Sequence, residues 1–206
     1  MPRSFDRRAF FDACRLGVMG PALDDDEVSG AGAILDAMQG CPLAWTAYAL
    51  ATSWHETAHE MQPIAERGGN NYFTRMYDIR GHRPELARKM GNTAPGDGVL
   101  YRGRGYVQLT WKCNYARAAN NTGYPLVGNP DLAMRRDIAA MVMRRGMEEG
   151  WFTGKAFSHF LPRSGPATPR QFFDARRIIN GRDKAEPIAG YAEGFQEALH
   201  DGGWCP

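Results

Sequence analysis

The stretch Tyr101-Arg102-Gly103-Arg104-Gly105-Tyr106-Val107-Gln108-Leu109-Thr110-Trp111 is where the helical patterning of this chain gives way to something extended. Gly103 and Gly105 permit a tight turn or bulge, and equally permit backbone to approach a ligand closely. After them Val107-Gln108-Leu109-Thr110 alternates apolar and polar, the period of a brief strand. Arg104 stands between the glycines, and an arginine there, beside an acidic site, would pair a carboxylate and fix its ionisation. Tyr106 and Trp111, like Trp54 upstream, read first as core and second as flat platforms on which a ligand could stack.

Outward from this stretch the pattern is helical. On the C-terminal side, helices are predicted over 111–121 and over 131–150, the latter with Leu132, Ile138, Met141, Val142 and Met147 inward. A Gly/Pro/Ser tract at 162–169 then precedes two last helices, 170–179 and 185–200. On the N-terminal side, Ser4 can cap a helix whose Phe5, Phe10, Cys14 and Val18 fall near a 3.6 period, before Gly17 and Gly20-Pro21 stop it. Asp24, Asp25 and Asp26 suit the start of the next helix, with Val28, Ile34, Leu35 and Met38 following and Gly40 ending it. Pro42 fits the first turn of a third helix, apolar through Leu43, Ala44, Ala47, Leu50, Ala51 and Trp54, and reaching about Glu60. Residues 61–103 hold ten glycines or prolines and are expected to form a long loop region with one short helical piece near 84–90. Loops of that length in a compact domain are usually functional.

At 206 residues the chain is expected to be one compact domain, 1–206. Hydrophobic residues at 43% and charged residues at 23% exclude disorder, collagen-like repeats and disulfide miniproteins. The net charge of +2 gives no reason to expect a nucleic-acid partner, though a mildly basic surface suits an anionic polymer. No apolar run approaches the ~18 residues of a membrane span. The first 16 residues carry Arg3, Asp6, Arg7, Arg8, Asp12 and Arg15 and lack an apolar h-region, so no secretory signal is expected and synthesis is expected in the cytoplasm. Cys14, Cys41, Cys113 and Cys205 form no C-x-x-C pair and are expected to be reduced.

The third helix ends on His55-Glu56-Thr57-Ala58-His59-Glu60, a block of titratable groups on an apolar rod. His55-Glu56-Thr57-Ala58-His59 fits H-E-x-x-H, which on a helix sets two imidazoles at i and i+4 for zinc with the glutamate as base, as in a metallopeptidase. A third ligand is then needed, and His82, His159 and His200 stand in no context that supplies one. In the other reading, Glu56 lies at the end of a buried helix beside Trp54, where desolvation favours the neutral, proton-donating form a glycosidase acid requires. Its partner would be a second carboxylate, ~6.5–9.5 Å away if water attacks with inversion. Glu60, at i+4 on the same face, and Glu66, in the loop after Pro63, are the two choices. A helix-end cluster with structural hydrogen bonds only is the bland reading of this motif, and a non-catalytic sugar-binding module is the remaining alternative for the protein as a whole.

Taken with Asn114-Tyr115, the 101–111 stretch closely resembles the Y-x-G-R-G-x-x-Q-L-S/T-x-x-x-N-Y signature of glycoside hydrolase family 19. His55-Glu56-Thr57 resembles that family's H-E-T, and Ile178-Ile179-Asn180-Gly181 its I-N-G, so three ordered motifs span about 130 residues. The overall look is that of short, bacteriophage-type, chitinase-like endolysins. The resemblance implies a mainly α, lysozyme-like α+β fold: two helical lobes around a cleft with a small β element near residues 100–110. It implies cleavage of β-1,4 bonds in peptidoglycan or chitin, with no metal and no cofactor. Glu56 would match the general acid and Thr110 the residue holding the attacking water. Gln108 and Asn114 would match polar cleft residues, and Asn180 a substrate-binding amide; Tyr106 and Arg104 complete the expected substrate-binding set. Glu66 is placed where endolysin-type members carry the second carboxylate, with Arg67 or Arg104 to keep it ionised. Tyr72, Phe73 and Tyr77 are further candidates for stacking on sugar. Near residue 188 the plant pattern has an arginine and this chain has Ile188. A monomer is expected, released to the cell wall through a membrane pore, with a polysaccharide as its partner.

Overall fold

The computed structural model describes residues 5–205. In chain order the elements are α1 (Arg7–Leu16), α2 (Asp25–Ala37), α3 (Leu43–Glu56), β1 (Ile64–Ala65), α4 (Asn70–Tyr77), α5 (Pro84–Lys89), α6 (Asp97–Leu100), β2 (Arg104–Gly105), α7 (Lys112–Thr122), α8 (Arg136–Glu149), α9 (Pro169–Ala175) and α10 (Ala185–Asp201). Short 3-10 turns at Pro130–Met134, Phe157–His159 and Arg176–Ile178 join them. The mainly α architecture with one small sheet agrees with the expectation from sequence, and no described helix is long and apolar enough to cross a membrane. The chain forms two compact units, one from residues up to Gln62 and from Met143 onward, the other Pro63–Val142.

The first unit is built on α3. Every residue from 44 to 54 is buried, because small side chains such as Ala44, Ala47 and Ala51 let neighbouring elements approach on all sides. The longest helix, α10, packs along α3 and against α1 and α9. Asp6 caps α1, its side chain accepting from Ala9 N at 3.1 Å, while the expected cap Ser4 lies outside the described residues. Asp24 and Glu27 form a reciprocal capping box at the start of α2, with bonds of 2.7 and 2.8 Å. Pro42 precedes the first turn of α3 as its N-cap residue instead of entering it. The helix expected over 170–179 ends at Ala175 and tightens into the 3-10 turn that carries Arg176.

The end of α3 departs from expectation. The helix stops at Glu56, not near Glu60. Thr57 Oγ1 donates to Ser53 O at 2.8 Å and accepts from Met61 N at 3.0 Å, drawing the chain into a reversal. Ala58, His59 and Met61 all take positive φ, at 54°, 72° and 51°, so the helix cannot continue. The reversal lies against α2: a Cβ at Gly30 would sit 1.8 Å from Met61 O, and Gln62 Nε2 donates to Asp26 O.

In the second unit β1 and β2 pair antiparallel, Ile64 with Gly105 and Ala65 with Arg104. Residues 107–110 are not the expected strand. Arg104 bridges directly to Leu109, exchanging bonds of 3.2 and 2.8 Å, and Tyr106, Val107 and Gln108 form the turn between them with Gln108 at φ 53°. The alternation came from a tight hairpin tip whose apolar members Val107 and Leu109 are buried. Residues 61–103 also hold more structure than expected, with α4 and α6 packed together in addition to α5. Buried Asp78 ties this region: its carboxylate accepts from Gly96 N at 2.7 Å, Gly98 N at 3.3 Å, and both the backbone N and Nε of Arg80 at 3.1 Å. Burial pushes its pKa up, but the bonds from Arg80, Gly96 and Gly98 outweigh that and hold it below the usual carboxylate range. The single helix expected over 131–150 is divided at Arg135, whose ψ of 131° is extended, into a 3-10 turn begun by Pro130 and α8.

Candidate active site

In the first unit the acid candidate Glu56 is the last residue of α3, half-buried, where a rigid buried helix fixes its backbone. Arg176 Nη1 donates to Glu56 Oε1 at 2.7 Å, and Arg176 Nε donates to Asp183 O at 2.9 Å. The Arg176 side chain is only 4% exposed against 23% for Glu56, so a buried guanidinium presents a carboxylate whose other oxygen, Oε2, it does not engage. Arg176 was missed in the sequence. The signal for it was weak: it stands two residues before Ile178, whereas the arginine sought near 188 is replaced by Ile188, a fully buried core residue of α10.

The histidines do not form the pair that H-E-x-x-H requires. His55 is on α3, but His59 lies beyond the helix end, stacked on Trp54 with ring centroids 4.7 Å apart and its Nε2 3.2 Å from Tyr191 OH. Burial lowers the His55 pKa, partly opposed by the adjacent Glu56. Glu60 is exposed in the reversal and not one helical turn from Glu56 on a shared face. Asn180 is exposed, its Oδ1 accepting from Gly181 N at 2.8 Å and its backbone N donating to Arg176 O at 3.0 Å.

In the second unit Glu66 follows β1, and its backbone N donates to Gly103 O at 2.9 Å. Its Oε1 accepts from Tyr77 OH at 2.8 Å and Tyr72 OH at 3.2 Å, and its Oε2 from Gly103 N at 3.2 Å. Tyr72 and Tyr77, expected to stack on sugar, are thus ligands of this carboxylate, and Phe73 is buried. Burial, and then the bond to Glu66, push the Tyr77 pKa up, which keeps that phenol a donor. Two phenols and an amide, and no guanidinium, hold Glu66 among the described residues. The expected arginine is elsewhere: Arg104 is buried and bonds Asp131 Oδ1 at 2.9 Å, Leu100 O at 2.9 Å and Tyr115 OH at 3.0 Å. Its carboxylate partner is a structural aspartate. Tyr106, expected in the substrate-binding set, is instead fully buried and stands in the core, the first of its two readings.

The hairpin brings the remaining polar groups to Glu66. Thr110 Oγ1 donates to Gln108 O at 2.8 Å, which leaves its lone pairs as acceptors for a further donor such as water. Gln108 Nε2 donates to Ile64 O at 3.1 Å and Gly105 O at 3.3 Å, and Asn114 Nδ2 to Thr110 O at 2.8 Å. All three motif residues therefore brace one backbone turn. Gly103 is the point of convergence: a Cβ there would lie 2.7 Å from Gln108 Oε1 and 3.2 Å from both Glu66 Oε2 and Thr110 Oγ1. A carboxylate able to take a proton stands beside a hydroxyl able to orient the donor of one.

Searched against protein-family models, the chain matches none. Among solved structures it is similar to chitinase C from Streptomyces griseus, with a TM-score of 0.58 and 19% identity over 95% of this chain and 76% of that one. It is also similar to a bacterial family 19 chitinase, with a TM-score of 0.55 and 23% identity over 95% of this chain and 94% of that one. The fold is that of family 19 chitinases. At the sequence level an Arabidopsis thaliana endochitinase is 34% identical over 74 residues, which are 36% of this chain and a quarter of that protein's length. The family 19 fold carries the H-E-T glutamate of this chain on α3 and the Gly-Arg-Gly hairpin on β2, each inside its own unit.

Proposed function

We propose that the chain is a glycoside hydrolase of the family 19 type that cleaves β-1,4 bonds of an amino-sugar polymer, peptidoglycan or chitin, with inversion. The observation that carries this reading is the convergence at Gly103, where Glu66, Thr110 and Gln108 meet around a residue with no side chain. Glu56 is the proton donor. Arg176 holds its Oε1, so Oε2 delivers the proton to the departing glycosidic oxygen. Glu66 is the base: it takes a proton from a water that Thr110 Oγ1 orients, and that water attacks the anomeric carbon from the face opposite the leaving group. Tyr72, Tyr77 and Gly103 N aim the Glu66 oxygens, and fixed donors of this kind cost no reorganisation during reaction. Gln108, Asn114 and exposed Asn180 supply amides for the substrate's polar groups.

The fold shared with family 19 chitinases, the 74-residue likeness to an endochitinase and the motif resemblance support this reading. The motif resemblance to short bacteriophage members further supports an endolysin role, with the monomeric protein made in the cytoplasm and reaching peptidoglycan through a membrane pore. The test is Glu56→Gln, isosteric but unable to donate as a carboxylic acid does. Turnover of chitin oligosaccharides and of purified peptidoglycan falls at least ~100-fold while near-UV circular dichroism is unchanged. Near-normal turnover by the folded variant overturns the assignment.

A further inference from the structure

Charge is distributed unevenly along this chain. Residues 63–142, the second unit, hold 12 Lys or Arg against 6 Asp or Glu, a net +6, whereas the remaining residues hold 13 against 17, a net −4. The nearly neutral whole conceals one strongly cationic unit. A surplus of that size on an 80-residue unit raises the local concentration of anions around it.

Two of the unit's arginines, Arg75 and Arg80, come together at one place. The face of α4 opposite Tyr72 and Tyr77 carries Asn71, Thr74 and Arg75, spaced i, i+3, i+4. Beyond the helix the chain folds back over this face, with Gly81 N donating to Asp78 O and His82 N to Arg75 O, both at 2.9 Å. Only glycine permits the return, since a Cβ at Gly81 would lie 2.4 Å from Thr74 O. The result is a shallow, open pocket of about 370 Å³ lined by Asn71, Thr74, Arg75, Arg80, Gly81 and His82. Arg80 is anchored through its Nε and backbone N on buried Asp78, which leaves its terminal Nη groups without a partner among the described residues. Arg75 has no ion-pair partner among those residues.

Resting on the reading above, we propose that this open pocket is an anion subsite that receives the peptide-stem carboxylate of peptidoglycan, so that the anionic glycan is preferred to neutral chitin. Two guanidinium groups, one pre-oriented by a buried aspartate, match the planar fork of a carboxylate. The amide of Asn71 and the hydroxyl of Thr74 can meet the adjoining peptide. α4 links the subsite to the chemistry, since one face holds the Glu66 base through two phenols while the other lines the pocket. A stem bound there would register the glycan against Glu66 without touching the reacting atoms.

The probe is N-acetylmuramoyl-L-alanyl-D-isoglutamine, titrated calorimetrically beside its counterpart with the carboxylate amidated. It contains no bond that the chain would hydrolyse, so it reads binding whether or not the glycosidase assignment holds. The wild-type protein is expected to prefer the carboxylate form by ~10-fold, the scale of two exposed charge-assisted contacts. Arg75→Gln is expected to abolish that preference, Arg75→Lys to restore part of it, and Arg75→Ala, which suits an exposed helix position, to abolish it likewise should Arg75→Gln fold poorly. In a turnover assay on peptidoglycan Arg75→Gln is expected to raise KM with kcat kept. Equal affinity for the two probe forms, or a preference that survives Arg75→Gln and Arg75→Ala, overturns the subsite. Loss of glycosidase activity on every polymer with the preference intact would instead overturn the proposed function alone.

Discussion

Gly103→Ala tests the site at its most crowded point. The added methyl would lie 2.7 Å from Gln108 Oε1 and 3.2 Å from both Glu66 Oε2 and Thr110 Oγ1. Contacts under 3.0 Å are not tolerated, so the Gln108 carboxamide must move, and with it the bonds to Ile64 O and Gly105 O. Losing one or both costs about 1–2 kcal/mol at roughly 1 kcal/mol each. For a chain of this size that lowers Tm by about 2–8 °C, from roughly 2–4 °C per kcal/mol, leaving the protein folded at 25 °C. Activity should suffer far more. A carboxylate and a hydroxyl displaced by several tenths of an ångström no longer hold water in line, and misplacement approaching 1 Å costs ~100-fold. The assay is kcat on a soluble chitin oligosaccharide together with a thermal melt, with Gly128→Ala as control, because a Cβ there meets only Pro125 O at 3.8 Å. Gly103→Ala turning over at the wild-type rate would refute the placement of the base and its water at this point.

Glu66→Gln should lose much more turnover than Glu60→Gln, since Glu60 is an exposed residue of the reversal; the product, followed by NMR as it forms, should be the α-anomer, and a β-anomer or a more damaged Glu60→Gln would count against Glu66 as base. Thr57→Val removes the acceptor of Met61 N and should cost about 1–3 kcal/mol in a denaturant melt, the penalty of an unpaired buried donor; an unchanged melt would mean the reversal stands without it. Asp78 has a folded pKa depressed below its ordinary value of 3.8, so its contribution to stability is complete above that value and is lost as pH falls through the lower, folded one. Asp78→Asn should therefore be less stable than wild type at pH 7, with the gap narrowing below pH ~4, and a gap independent of pH would contradict the sign.

What was legible in the sequence followed physical patterns that act over a few residues. Asp24, Asp25 and Asp26 announced the start of α2 by their charge, and the alanine-rich run to Trp54 announced a buried helix. The end of α3 was hidden because nothing in Thr57-Ala58-His59 forbids a helix; only the pull of Thr57 on both Ser53 O and Met61 N, with a tight seat on α2, selects left-handed backbone there. The 107–110 alternation misled because a two-residue ladder and a hairpin tip share the period of a strand. α4 was obscured by its start: Gly69 caps it without a side-chain bond, and Gly68-Gly69 reads as loop. In the site, motif and spacing singled out Glu56, Glu66 and Thr110 as candidates, while the groups that hold them in the structure were not singled out. Arg176 lies 120 residues from Glu56 and Tyr77 lies 11 from Glu66, and no local rule links either pair.

Gly30 carries a consequence for how variation in this chain should be interpreted. Its missing side chain is what lets Met61 O approach α2, and that approach closes the reversal that ends α3 at Glu56. Any larger residue at position 30 drives against main chain, which cannot swing aside as a flexible side-chain end does, so the strain passes to the segment just after Glu56. A saturation library scored for activity alone would then rank Gly30 with Glu56 as an indispensable residue. Scored in parallel for abundance of folded protein, the two positions separate, with Gly30 behaving as a hinge pin for the helix terminus and Glu56 as the proposed acid, dispensable for folding. Recombination with homologous chains carries the same constraint: segments containing residues 30 and 61 have to be exchanged together.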